Sequence, residues 1–239
     1  MIDISSMTPA EIIQAYTPPE EVMAMILKAR RAGRPYSLVR VGDGENAVLS
    51  QILGEEYLER PWARSDHSYC GIVLPNFEAL YDMIWALRRA DMVGILFQDG
   101  DKWWREMTQR AFAAARIYPR RIMYAFDNHH LVQQEGFTRL LETSRVVLLG
   151  RRSEEMAGSL AERGMRVVRH LMVDSYDDVA PTISALDTTD YQVCLAACGV
   201  NAVMLCQKLA FRHGTIALDV GSAFDRLLDG SLHLYGEAS

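Results

Sequence analysis

A short segment near residue 40 carries the side chains best suited to chemistry. Arg40 stands in an otherwise apolar stretch, and two carboxylates, Asp43 and Glu45, follow it with Gly42 and Gly44 beside them. On a non-helical turn, carboxylates two residues apart can converge on one hard cation, and the glycine between them lets the backbone bend. Such a cation would bridge a diphosphate, which two bare carboxylates would repel. The spacing therefore predicts a metal site that also binds phosphate.

A purely structural interpretation of the same two carboxylates stays open. Asp43 would then be the N-cap of a helix, and Glu45 would be an acidic residue of its first turn, stabilised by the helix dipole. This interpretation leaves Arg40 unexplained, because a long cation inside an apolar strand has no part in helix capping.

Two strand-to-helix corners position these candidates. Residues 37–41 are apolar and β-prone, and residues 45–53 have apolar residues at helical spacing, with glycines between the two segments. A strand that ends on glycines and leads into a helix forms the phosphate-binding corner of many α/β proteins. A second corner surrounds Gly199, where backbone N–H groups at the start of a helix would face a diphosphate. Asp219 lies near the end of the last predicted strand.

Both corners resemble those of a known family. The segment Leu38-Val-Arg-Val-Gly-Asp-Gly-Glu45 is similar to the signature of GT-D-type glycosyltransferases, which carry an Arg-x-Gly-Asp-Gly-Glu segment. The Gly199-x-x-Ala202 corner, the helix after it and the strand Ala217-Leu-Asp-Val-Gly221 are similar to the C-terminal half of that family. The family commonly has a proline after the glycine, where this chain has Val200. Little of residues 55–143 matches any family pattern.

The resemblance implies a metal-dependent glycosyltransferase of the hexosyltransferase type. Its donor would be a nucleoside-diphosphate sugar, with a UDP-sugar expected, its acceptor a glycan or glycoconjugate, and its cofactor a divalent ion, Mn²⁺ or Mg²⁺, which neutralises the departing diphosphate. Asp43 and Glu45 would be the catalytic and metal-binding residues. The predicted nucleotide-binding residues are Arg40, Gly42, Gly44, Gly199, Val200, Asn201 and Asp219.

Aromatic residues suggest an acceptor side. Trp103 and Trp104 are adjacent, so they cannot share one helical face, and an exposed indole can stack on a sugar ring. Residues 55–72 form a polar, aromatic stretch without a clear period, which we interpret as a functional loop. Packing of these aromatic side chains against their own segments is the alternative for both.

Polar residues at the ends of predicted strands supply the candidates for a general base. Asp127 and His129 follow the strand predicted at residues 121–126, and both are expected on the acceptor side, although helix capping also explains Asp127. Asp174 follows a later strand. Position alone does not choose among these three.

Alternation of strands and helices predicts the fold. The strands are expected at residues 37–41, 92–97, 121–126, 145–149, 165–173, 191–196 and 215–220. This rhythm predicts an α/β, Rossmann-like fold with a largely parallel sheet and helices on both faces. We expect a single domain over residues 1–239, with N-terminal helices in residues 1–34 and the α/β body in residues 35–239.

Composition limits the class of protein. The chain has 239 residues, of which 49% are hydrophobic, and a net charge of −6, which argues against a nucleic-acid-binding protein. No signal peptide and no membrane-spanning run is apparent, so a cytoplasmic location is expected. The cysteines at 194, 198 and 206 lie in apolar surroundings and are predicted to be buried thiols. Self-association into a homo-oligomer stays open.

Two competing functions belong to other classes. Leu218-Asp-Val-Gly-Ser222 superficially resembles the first strand and loop of S-adenosylmethionine-dependent methyltransferases, although further glycines are missing and the segment closes the fold rather than opening it. A non-catalytic nucleotide-sugar-binding protein would keep the ligand site without transfer. Fold analogy alone does not separate these functions.

Overall fold

The computed structural model describes residues 1–54, 71–97 and 102–236. Its centre is a seven-stranded sheet in which every paired strand is parallel, with the order β3-β2-β1-β7-β6-β4-β5. The strands are β1 Tyr36–Val41, β2 Met92–Ile95, β3 Ile122–Tyr124, β4 Arg145–Gly150, β5 Arg166–Leu171, β6 Val193–Ala197 and β7 Ile216–Asp219. The predicted α/β class and all seven predicted strands are confirmed, with ends that differ by a few residues.

Helices connect the strands. They are α1 Pro9–Gln14, α2 Pro19–Arg31, α3 Asp43–Ser50, α4 Phe77–Leu87, α5 Lys102–Ala114, α6 Asn128–Val132, α7 Glu135–Glu142, α8 Ser153–Glu162, α9 Val179–Leu186, α10 Asn201–His213 and α11 Ala223–Leu228. Short 3-10 turns lie at Ile4–Ser6, Gln51–Leu53, Ala125–Asp127 and Tyr176–Asp178.

Strand β7 joins the two halves of the sheet. It hydrogen-bonds to β1 on one side and to β6 on the other, with Leu218 in register with Leu38 and with Leu195. Strand β1, predicted to be central, is an interior strand between β2 and β7. Within the described ranges, β7 is the sole strand that connects β3-β2-β1 to β6-β4-β5.

Both faces of the sheet are covered by helices, as predicted. Side chains of β1 alternate between the faces: Val39 and Val41 belong to a core with α3, α4, α5 and α10, whereas Leu38 belongs to a core with α2, α7, α8 and α11. The chain therefore leaves β1 toward one face and leaves β7 toward the other. Adjacent strands whose chains diverge in this way open a crevice at their carboxyl ends.

Several local predictions are also confirmed. Thr8 and Glu11 form a capping box at the start of α1, with the Thr8 N–H donating to Glu11 Oε2 at 2.7 Å. Asn76 caps α4 by accepting from the Ala79 N–H at 2.9 Å. The three cysteines at 194, 198 and 206 are free and buried. In the ranges given above, no helix has the length and apolar character needed to span a membrane. Most of the predicted loop at residues 55–72 lies outside the described residues.

Candidate active site

A cavity of about 520 Å³ opens at the carboxyl ends of β1 and β7, where the crevice is expected. Its size is typical of a small-molecule site. The predicted residues that line it are Arg40, Gly42, Asp43, Gly44, Glu45 and Gly199. The prediction that Asp43 and Gly199 lie at the same edge of the sheet is therefore confirmed, although 156 positions separate them along the chain.

The two carboxylates do not stand on a non-helical turn, contrary to the sequence prediction. Gly42 is the N-cap of α3, so Asp43 and Glu45 are the first and third residues of the helix. Residues two apart on a helix point in different directions, which removes the local convergence that the spacing indicated. The alternative interpretation is wrong in making Asp43 the N-cap, but its placement of Glu45 in the first turn of the helix is confirmed. A shared cation would therefore have to lie off the helix end, in front of both side chains.

Glu45 has a structural contact and an unusual environment. Its Oε2 accepts the Gly42 N–H at 2.8 Å, which is half of a capping box, because glycine has no side chain to return the bond. Burial, followed by the nearby negative charge of Asp219, raises the pKa of Glu45 to about 7, and the Gly42 N–H and Arg40 partly oppose this shift. Asp43 is exposed, and its Oδ1 accepts the Gly44 N–H at 2.9 Å.

Arg40 is fixed by the last strand of the sheet. Its Nη2 donates to Asp219 Oδ1 at 3.0 Å, and the two side chains are 16% and 3% exposed. Burial raises the pKa of Asp219, while Arg40 acts in the opposite direction. Gly221 lies directly against the guanidinium, since a Cβ at this position would come within 1.6 Å of Arg40 Nη2. Asp219 is therefore a positioning residue for Arg40 and does not line the cavity.

This arrangement also bears on the methyltransferase alternative. The loop after β7, at Val220–Ser222, is the part that resembles a methyltransferase loop, and the guanidinium of Arg40 fills the space beside its glycine. Gly221 and Ser222 nevertheless line the cavity, so Arg40 closes only the space directly beside the Gly221 Cα.

A buried polar pair that the sequence analysis missed supports the first corner. Asn46 Nδ2 donates to the Gly42 carbonyl at 2.8 Å, and Thr108 Oγ1 lies 2.9 Å from both Asn46 Oδ1 and the Trp104 carbonyl. Asn46 and Thr108 are completely buried. The pair thus connects the glycine corner to α5 and to Trp104, which lines the cavity.

The second corner contributes its backbone rather than its side chains. Gly199 has φ +57°, a conformation that favours glycine, and it lines the cavity directly before α10. Val200 and Asn201 are completely buried, and Asn201 Nδ2 donates to the Gly71 carbonyl at 3.0 Å. Neither side chain lines the cavity, so a nucleotide-binding role for these two residues is limited to their main chain.

The two tryptophans are not equivalent. Trp104 is half-buried and lines the cavity, whereas Trp103 is 42% exposed and is not part of the cavity wall. Their rings meet edge to face with centroids 4.4 Å apart. Of the two, Trp104 is positioned to contact a ligand.

Asp127 and His129 lie behind the cavity wall. The His129 Nε2 is 2.9 Å from Ser222 Oγ, and Ser222, which the sequence analysis did not select, lines the cavity. Burial, together with nearby Arg226, Arg40 and His130, lowers the pKa of His129. Asp127 Oδ1 is 3.1 Å from His130 Nδ1. Neither Asp127 nor His129 lines the cavity, and Asp127 does not act as a side-chain cap for α6.

A second cavity, of about 370 Å³, continues along the same edge toward β4 and β5. Arg151 lines it and forms an ion pair with Asp174, the third candidate for a general base. The two cavities share Ala197, Gly199 and Asp225 as wall residues. They are therefore two parts of one groove.

Comparison with known proteins identifies the family of the chain. The GT-D fold-like domain family matches residues 17–227, which is most of the chain. The chain belongs to the GT-D-like family. A search of the curated proteins finds no match.

Solved structures agree with the GT-D-like fold. One is described as domain of unknown function 1792 with a distinct glycosyltransferase fold; it is 14% identical, with a TM-score of 0.58 over 99% of this chain and 87% of that chain. Another, a new glycosyltransferase (DUF1792) from Streptococcus sanguinis, is 15% identical, with a TM-score of 0.61 over 90% of this chain and 85% of that chain. At these identities the likeness shows the fold alone. The GT-D-like fold supports a glycosyltransferase function for the chain.

The residues at the cavity suit a divalent ion that keeps most of its water. No group of three or more His, Cys, Asp or Glu residues is arranged to hold a metal within the described part of the chain. Asp43 and Glu45 offer two carboxylates at the cavity wall. Mg²⁺ is typically held by one or two carboxylates plus substrate phosphates, so this pair fits an ion that binds together with a diphosphate.

Proposed function

We propose that this GT-D-like protein is a metal-dependent glycosyltransferase that moves a sugar from a nucleoside-diphosphate sugar, with UDP as the nucleotide, to a glycan or glycoconjugate. The observation that carries the proposal is the convergence of Arg40, the start of α3 and the Gly199 corner in one cavity. That cavity lies at the crevice between β1 and β7, where open α/β sheets bind their ligands.

Arg40 supports a phosphate ligand. Its Nε is buried and has no hydrogen-bond partner among the described residues, while its Nη2 is held by Asp219. Unpaired buried donors are costly, so a cationic N–H left without a partner beside a cavity is a natural donor to a phosphate oxygen. Helix α10 begins directly after Gly199 at the cavity wall, and the N–H groups at a helix start favour anions.

The charge balance of the cavity supports a cation as a further component. Among the described residues, Asp43, Glu45 and Asp225 line it, together with the guanidinium of Arg40, which Asp219 already neutralises. A diphosphate would meet net negative charge here. Burial, followed by the nearby carboxylate of Asp219, also disfavours the charged form of Glu45 and raises its pKa. A divalent ion held by Asp43 and Glu45 would reverse both effects.

The chain's own residues then have separate roles in transfer. Asp43 and Glu45 would hold the ion, which would neutralise the charge that develops on the leaving diphosphate. Arg40 donates to the phosphates from a position fixed by Asp219 and Gly221. Gly199 lets the backbone approach the ligand closely, and Trp104 supplies an apolar wall.

Ligand-dependent melting tests the proposal. UDP should raise the melting temperature when Mn²⁺ or Mg²⁺ is present and have little effect without metal, whereas S-adenosylhomocysteine should have none. Asp43→Asn and Glu45→Gln should both lose the metal-dependent part of the stabilisation. The metal-free melting temperature of Asp43→Asn should stay close to wild type, because capping contributes only about 1 kcal/mol.

Turnover separates an enzyme from a binding protein. Wild type is incubated with UDP-glucose, UDP-galactose or UDP-N-acetylglucosamine and Mn²⁺, and UDP release is measured. Metal-dependent release that both carboxylate variants lose supports a transferase. Stabilisation by UDP without release from any donor would instead favour the non-catalytic alternative. Full metal-dependent turnover in both variants would remove the metal assignment.

A further inference from the structure

The groove has a natural point at which two substrates would meet. The cavity at β1 and β7 contains the groups assigned to the diphosphate, and the second cavity extends away from it over β6 and β4. A transfer reaction requires the acceptor hydroxyl and the anomeric carbon of the donor sugar to be in contact. If the donor occupies the first cavity, this contact falls where the two cavities adjoin.

Asp225 is the titratable side chain at this junction. The shared wall residues are Ala197, Gly199 and Asp225, so within the described residues Asp225 alone adds an ionisable group to both cavities. Its side chain is 55% exposed, which lets it exchange protons with solvent. Asp225 was not among the residues predicted from the sequence, because it lies within α11 rather than at a glycine corner.

Known structural roles do not account for this carboxylate. Asp225 follows Ser222 at capping-box spacing, yet no side-chain cap bond forms at the start of α11. Among the residues that the structure describes, its one contact with a charged group is with Arg152 Nη1, at 3.4 Å, which is long for a hydrogen bond. Arg152 is held more closely by Glu155 and Asp229, both at 2.9 Å. Asp225 is therefore dispensable for placing Arg152.

The other candidates for a general base are less well placed. Asp127 and His129 do not line either cavity, and His129 is hydrogen-bonded to Ser222. Asp174 lines the second cavity only, where it is paired with Arg151.

We infer that Asp225 is the catalytic base of the transfer reaction, acting on an acceptor hydroxyl bound in the second cavity; this rests on the proposed glycosyltransferase function. The carboxylate takes the hydroxyl proton as the acceptor oxygen forms its bond to the anomeric carbon. The bond from that carbon to the diphosphate oxygen breaks, and its electron pair leaves with the diphosphate. A single displacement of this kind inverts the anomeric configuration.

The second cavity suits a neutral, hydroxyl-rich acceptor. Its charged wall residues occur as opposite pairs, Arg151 with Asp174 and Arg152 with Asp225, so neither an anion nor a cation is favoured. Carboxylates and guanidinium groups side by side can accept from and donate to neighbouring hydroxyls. Phe224 and Val173 also line it but are only 2% and 1% exposed, so they offer little surface to a ligand.

The test compares Asp225→Asn with Asp229→Asn as a matched control. Both remove a carboxylate next to Arg152, but Asp229 lines neither cavity. With a UDP-sugar that wild type hydrolyses, Asp225→Asn should lower kcat about 10²- to 10⁴-fold, the usual contribution of a general base, and leave the dissociation constant of UDP unchanged. Asp229→Asn should match wild type in both quantities.

Azide gives a readout that a structural role would not produce. It attacks as an anion and needs no base, so sodium azide should restore donor consumption by Asp225→Ala and form a glycosyl azide of inverted configuration. Four results would each overturn the assignment of Asp225 as the base. They are a wild-type kcat in Asp225→Asn, an equal loss of kcat in Asp229→Asn, no rescue by azide, and a product of retained configuration. A wild type that binds UDP and consumes donor in these experiments keeps the proposed function; one that does neither refutes both proposals.

Discussion

The contact between Gly221 and Arg40 leads to a quantitative prediction for Gly221→Ala. A Cβ at this position would lie 1.6 Å from Arg40 Nη2 and 2.5 Å from Cζ, so the guanidinium must move. Its 3.0 Å bond to Asp219 then breaks and leaves a carboxylate that is 3% exposed without its cation. Loss of one partner from a buried pair costs about 3–5 kcal/mol. The backbone φ of +45° adds about 1–2 kcal/mol for any residue with a Cβ.

The total of about 4–7 kcal/mol corresponds to a fall in melting temperature of roughly 8–28 °C for a domain of this size. Gly230→Ala is the control, because its φ is +72° and nothing lies within 4 Å of the added Cβ. Its free energy of unfolding should fall only by the cost of the backbone conformation, about 1–2 kcal/mol. Urea denaturation measures the free energy of unfolding of both variants.

The same experiment can refute the reasoning. Burial raises the pKa of Asp219 above its unfolded value, so without Arg40 its ionisation lowers stability as pH rises from about 4 through the folded pKa. The decrease in the free energy of unfolding caused by Gly221→Ala should therefore be greater at pH 8 than at pH 5. Equal losses in the two glycine variants, independent of pH, would show that Arg40 moves without cost and that its pair with Asp219 does not stabilise the fold.

Three further predictions concern the cavity. Trp104→Ala should weaken UDP-sugar binding in a titration, whereas Trp103→Ala should bind as wild type, because only Trp104 lines the cavity. Thr108→Val should cost about 1–3 kcal/mol in denaturant unfolding, because it leaves the buried Asn46 Oδ1 without its donor. In metal-free wild type, the free energy of unfolding should fall from about pH 4.5 to 7, since burial raises the Glu45 pKa from 4.5 to about 7; Glu45→Gln should show a shallower fall over that range.

The strands were predictable because their signal is local. Apolar runs such as Val146–Leu149 are buried on both faces of a parallel sheet, so composition alone identifies them. Arg40 could be recognised as a functional candidate because it is a charged residue within such an apolar run. The order of the strands is not a local property: β7 lies between β1 and β6, and no pattern within β7 states its neighbours.

The site residues that stand beside glycines at the end of a strand could be predicted from the sequence. Residues whose role depends on a contact with a residue far away along the chain could not. Asp219 was expected to bind nucleotide, but it lies 179 positions from Arg40 and serves to hold it. The start of α3 at Asp43 was missed because a Gly-Asp-Gly-Glu segment has the composition of a turn. In the structure the side chains of Glu45 and Asn46 hydrogen-bond to Gly42 and stabilise the segment as the first turn of α3. Ser222 and Asp225 could have been found by asking which polar residues follow the last strand at the carboxyl edge.

The position of β7 has a consequence for synthesis of the protein on the ribosome. Strands β1, β2 and β3 emerge early, and β4, β5 and β6 follow. Among the strands that the structure describes, the two groups have no strand-to-strand hydrogen bonds until residues 216–219 appear. Until then β1 has an open edge, and Arg40 lacks its counter-ion. A nascent chain that stalls before Ile216 is therefore a pair of unjoined half-sheets with an incomplete ligand cavity. Such a chain would be a substrate for chaperones and proteases rather than a partly active enzyme.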